Sequence, residues 1–156
     1  AGRRAVCAAL VASGVGACSV QLAGVAVAAQ MGSAKEQVVA SVRTVEDALG
    51  LECWEDLVCD GDDIRRYLGT VGTKSPLLTF DKVYKEVYLD IEDAPGVVEP
   101  DKIADTIRQA DFLAYSTIFS MASGGIDPKP YWRDCRAKLT ELLKELSAVN
   151  TALAKL

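Results

Sequence analysis

The strongest periodicity in the chain lies near its end. Trp132, Cys135, Leu139, Leu142, Leu146, Val149 and Leu153 recur in steps of three and four. On a helix of 3.6 residues per turn they fall along one stripe. Lys138, Glu141, Lys144 and Glu145 take the flanks, as beside the seam of a helical bundle. This helix should start around Pro130 and run to the end. Upstream, Ile103, Ile107, Ala110, Ala114 and Ile118 keep a similar spacing behind Pro100, whose missing N–H costs nothing in a first turn. That helix should stop near Gly124 and Gly125. Phe80, Val83, Tyr84, Val87 and Ile91 predict another over 79–92.

Val38, Val42, Val45 and Leu49 predict a helix that opens at Ser33, with Glu36 completing a capping box, and stops at Gly50. The stretch LECWEDLVCDGDDIRRYLG reads as two short helical pieces broken at Asp60-Gly61 and closed by Gly69. TVGTKSPLL and DAPGVVEP carry the Gly, Pro and Ser of loops. No segment alternates with a period of two. The fold class is therefore all-α, with residues 33–156 forming an antiparallel four-helix bundle.

Ahead of that body, Ala5 to Ala34 holds no charged residue. The run is long enough to span a bilayer core, which needs about 20 apolar residues. Ala8, Ala12 and Gly16, then Ser19 and Ala23, place small side chains on one helical face, a pattern that lets membrane helices pack closely. Arg3-Arg4 followed by Ala26-Val27-Ala28 also fits a cleavable twin-arginine signal. The packing face favours a retained transmembrane helix over 1–32, with its arginine end on the side of insertion and the body across the membrane.

Charge sharpens this division. Of 17 basic residues only Arg3 and Arg4 precede Met31, and all 22 acidic residues follow it. A body so acidic, with no basic stripe, is no nucleic-acid binder. Histidine is absent altogether, which removes imidazole bases and most zinc sites, and no phosphate-binding glycine loop appears. The chain is expected not to be an enzyme, to hold no metal and to carry no cofactor of its own.

The remaining polar chemistry is sparse. Cys53, Cys59 and Cys135 form no C-x-x-C, and one disulfide among them is expected, with the pairing open. Asp60, Asp62 and Asp63 start like a calcium loop but lack its closing glutamate, so they read as an acidic turn in which Asp62 or Asp63 caps the next helix. Arg65-Arg66-Tyr67 is read as neutralising these aspartates rather than as an anion site, and Trp54 and Trp132 as core or interface residues.

Three segments resemble the PsbQ family of extrinsic photosystem subunits, in the form found in red-lineage algae. They are DDIRRYLGTVGTKSPL (62–77), IRQADFLAYSTIF (107–119) and AKLTELLKELSAVNTALAKL (137–156). The resemblance implies a four-helix bundle in the chloroplast thylakoid lumen, without catalysis, that stabilises a photosystem. With the retained membrane helix, it suggests a structural subunit bound to photosystem core or light-harvesting antenna proteins. Gln21 could bond a neighbouring helix or ligate a chlorophyll magnesium, and the membrane segment could meet chlorophyll or carotenoid. Competing readings are a cleaved, peripheral PsbQ-like subunit of the oxygen-evolving complex and a thiol redox sensor built on the three body cysteines.

Overall fold

A computed structural model describes the backbone of residues 18–156 and the side chains of residues 33–156. Its helices are α1 (Cys18–Leu49), α2 (Cys53–Asp56), α3 (Gly61–Leu68), α4 (Phe80–Val87), α5 (Pro100–Ala122) and α6 (Lys129–Leu153). Short 3-10 turns lie at Pro76–Thr79 and Tyr88–Asp90, and no strand occurs among the described residues. The class is all-α. Where one continuous helix would complete a bundle of four, the stretch between α1 and α5 is divided among α2, α3 and α4.

The core is organised around α6. Its whole predicted stripe, from Trp132 through Cys135, Leu139, Leu142, Leu146 and Val149 to Leu153, is buried. Against it α5 sets Ile103, Ala110 and Ala114, with Thr106 among them and Thr117 beyond Ala114. These two hydroxyls donate back to the carbonyls of Lys102 (3.0 Å) and Ala114 (2.7 Å), so neither is stranded in the apolar seam. Lys102 meets Glu141 and Glu145, whereas the Ala110 carbonyl meets Cys135, which shows that α5 and α6 run antiparallel.

In α1 the buried stripe is Ala34, Val38, Ser41, Val45 and Ala48, with Val42 and Leu49 only half-buried. Sequence hydrophobicity puts Val42 and Leu49 in the stripe, but the fully buried positions beside Val38 and Val45 are the small residues at 34, 41 and 48. The helix also runs unbroken through Ser33, which is exposed. The expected capping box is thus not used, because a cap requires non-helical backbone and the Ala/Val-rich stretch before it is already helical.

The helix expected over 79–92 is shorter, ending at Val87 and tightening into the 3-10 turn. The Ile91 N–H bonds the Tyr88 carbonyl at 3.0 Å, and Ile91 stays in the core with Phe80, Tyr84 and Val87. The Tyr84 hydroxyl donates to the Val98 carbonyl and ties the DAPGVVEP loop to α4.

No helix among the described residues is long and apolar enough to cross a membrane. Ala8, Ala12 and Gly16 lie outside the described residues. Ser19, Gln21 and Ala23 fall on the α1 backbone, with their side chains outside the described set.

One carboxylate sits against the grain of this core. Glu145 is buried on α6, facing Lys102 and Thr106 of α5 and Tyr84 of α4, with Glu141 one turn earlier on its own helix. Lys102 is 3.6 Å from its Oε1, and Oε2 has no partner. Burial raises its pKa, opposed by Thr106 and Lys102. Glu141 behaves oppositely: hydrogen bonds from Lys102 and Lys138, both at 2.7 Å, lower it to about 2.

A raised folded-state pKa means that the contribution of Glu145 is fully present below the ordinary carboxylate value and is lost as pH rises through the raised one. Glu141 contributes above the ordinary value and loses that contribution as pH falls toward 2. Glu145→Gln should therefore raise stability at pH 7 by about 1 kcal/mol, or about 2–4 °C in midpoint. The gain should vanish as pH falls into the carboxylate range. Thermal melts of both proteins between pH 7 and pH 4 check this, and a variant less stable than wild type at pH 7 refutes it.

Candidate docking surface

The sharpest anomaly in the fold lies on the second half of α5. Facing inward are Ala110, Ala114, Thr117 and Ser120, all buried. Facing outward are Phe112, Tyr115 and Phe119, exposed by 65%, 41% and 54%. Small side chains occupy the core side and large aromatic ones the surface, the reverse of an ordinary amphipathic helix.

At Ala114 and Ile118 this helix meets a close approach by α3. A Cβ at Gly61, the first residue of α3, would stand 2.5 Å from the Ala114 carbonyl oxygen and 2.7 Å from Ile118 Cγ1. Asp60 sets this start: its carboxylate accepts from the N–H groups of Asp62 (2.8 Å) and Asp63 (3.3 Å). The cap is therefore Asp60, not Asp62 or Asp63, since an N-cap bonds the amides two and three residues beyond itself. The latter two reach forward instead, Asp62 to Arg65 at 3.2 Å and Asp63 to Arg66. Among the described residues no cluster of His, Cys, Asp or Glu could hold a metal ion.

Arg65 joins α3 to the aromatic ridge. Its Nε donates to Asp111 at 2.8 Å, and its guanidinium carbon lies 4.8 Å from the Tyr115 ring centre. Asp111 also accepts from the Thr70 hydroxyl. The hydrogen bond to Asp111 is the main cause that raises the Arg65 pKa above its already high value, so the cation persists. Tyr115 in turn meets Phe119 edge-on at 4.8 Å. The ridge is thus held in place before any partner arrives, which reduces the ordering cost of binding.

Beyond Phe119 the apolar surface continues. Met121 (66% exposed) and Val58 (67%) line a cleft of about 660 Å³ together with Ile118 and Ala122 on one side and Asp60 and Asp62 on the other. Val58 belongs to the loop closed by a Cys53–Cys59 disulfide, leaving Cys135 free and buried. The Cys135 thiol faces the Ala110 carbonyl at 3.5 Å, and burial pushes its pKa up to about 12. Trp54 and Trp132, sited separately by the sequence, meet edge-to-face at 5.6 Å.

The LGTVGTKSPL segment folds back as a self-braced loop. Gly69 has φ +77°, and a Cβ there would meet the Leu78 amide nitrogen at 2.7 Å. The Ser75 hydroxyl donates to the Tyr67 carbonyl at 2.6 Å and accepts from Leu77 N–H at 3.2 Å. Gln37 of α1 donates to the Pro76 carbonyl and to Thr79 Oγ1.

Periodicity alone misses Phe112, Tyr115 and Phe119 as surface residues. The signal available was that Phe112, Tyr115 and Phe119 fall off the Ala110–Ala114 stripe, where an α5 buried on one side should show polar residues.

Gly61→Ala tests the close approach. It should lower stability by about 1–3 kcal/mol, because the contact is with backbone that cannot swing aside. Urea denaturation reads the change, and an unaltered midpoint contradicts the geometry.

Compared with known families, curated proteins and solved structures, the chain matches none.

Proposed function

We propose that this chain is a non-catalytic structural subunit whose helical body docks onto a larger membrane assembly through the outer face of α5. The observation that carries the reading is the reversed α5, with Phe112, Tyr115 and Phe119 outside and alanines within. Contiguous exposed apolar surface beside a polar rim is the usual mark of an interface, and aromatic side chains supply much of the energy in such contacts.

The resemblance of 62–77, 107–119 and 137–156 to the PsbQ family gives the setting. In that reading the assembly is a photosystem supercomplex, the partner a core or antenna protein, and the body an antiparallel four-helix bundle in the thylakoid lumen. The position of a fourth bundle member would be shared by α3 and α4. Residues 1–32 would anchor the body in the membrane.

Detergent-solubilised thylakoids separated on a density gradient test the reading. The chain should travel with photosystem particles, and a Phe112→Ser/Phe119→Ser variant should shift to the free-protein fractions. Its far-UV dichroism and melting should stay close to wild type, since exposed substitutions usually change stability by no more than about 0.5 kcal/mol. Failure of the wild type to travel with any photosystem would sink the setting. A folded variant that stays bound would sink the surface.

A further inference from the structure

The ring closed by Cys53 and Cys59, CWEDLVC, has two faces. Inward, Trp54 is buried, donates its Nε1–H to the Ala48 carbonyl at 2.7 Å and meets the Trp132 ring edge-on. Outward, Val58 stands in solvent beside Met121. Between them Leu57 adopts φ +57°, a left-handed conformation costly for any residue with a Cβ. The Val58 N–H bonds the Cys53 carbonyl at 3.0 Å, closing the turn. The four-residue α2 inside this ring is far too short to persist by itself. The cross-link thus fixes the backbone that carries Trp54, alongside its Ala48 hydrogen bond and its contact with Trp132.

The two cysteines are not equally exposed. Cys53 is the more exposed residue, whereas Cys59 is buried at the wall of the cleft beside Val58 and Met121, so attack is assigned to Cys53. Cys135 offers no alternative exchange partner, being wholly buried against α5.

We propose that the Cys53–Cys59 disulfide is a reducible latch: a dithiol opens it, Trp54 leaves Trp132, and the loop from Glu52 to Asp60 reshapes the cleft at Val58 and Met121. A thiolate of the dithiol attacks Cys53 Sγ and the S–S bond breaks. Cys59 leaves as a thiolate and takes a proton from water. The second thiol of the reductant then displaces Cys53, which is protonated in turn. Two electrons pass to the protein, and the dithiol departs as a cyclic disulfide. The latch goes beyond the docking reading and does not rely on it.

The full chain, treated with dithiothreitol under native conditions, provides the test. Alkylation with peptide mapping should find Cys53 and Cys59 modified and Cys135 protected until denaturant is added. Emission from the chain's two tryptophans should shift to the red, with far-UV dichroism unchanged, and return on reoxidation. The melting midpoint should fall by about 5 °C, as expected for opening a short ring. A Cys53→Ser/Cys59→Ser variant should show the shifted emission from the outset and no response to dithiothreitol. Complete reduction without an emission change would overturn the latch. So would resistance of the pair to native reduction, or labelling of Cys135 at the same rate as Cys53, which would mean global opening.

Discussion

The packing of α3 onto α5 is the constraint from which most of the surface follows. Gly61 brings one helix start within contact of the Ala114 carbonyl and the Ile118 side chain, and that approach leaves no room for a side chain at position 61. Core volume lost there is recovered elsewhere, chiefly by the leucines of α6 and by Phe80 and Tyr84 of α4. The aromatic residues of α5 stand on the surface. Tight helix contact on one face of α5 thus goes with an exposed aromatic ridge on another.

Polar chemistry in the fold serves placement. Arg65 neutralises Asp62 and Asp111 while lying on Tyr115, so one guanidinium links α3, α5 and the ridge. Such charge pairs at partly exposed positions add little stability, but they define side-chain direction. Lys102 similarly gathers Glu141 and Glu145 across the α5–α6 contact. In the second case the geometry leaves Glu145 Oε2 unsatisfied, a cost that the apolar seam around it must offset.

Much of the fold was legible because hydrophobic period is a local property. The α6 stripe can be read residue by residue, and so can the break at Asp60-Gly61 and the stop at Gly69. What escaped depends on neighbours. Ser33 has the residues of a cap, yet capping requires backbone that the preceding helix does not supply. The preference for Val42 over Ser41 reflects side-chain hydrophobicity, while the actual stripe reflects which side of α1 the rest of the fold covers. The ridge at Phe112, Tyr115 and Phe119 was present in the sequence as excess apolar character, but which side faced out required knowing where α3 sits. The pairing of Cys53 with Cys59 likewise depends on the tight turn through Leu57.

The connection between α5 and α6 spans only residues 123–128, whereas α1 reaches the same seam across roughly 80 intervening residues, a much larger loop-closure entropy. The α5–α6 hairpin is therefore the part of the core that can assemble from local encounters alone. Until α1 closes over it, the leucine stripe of α6 remains open on one side. The order of assembly, and with it the interval during which the chain is prone to aggregate, is governed by how quickly that distant helix arrives.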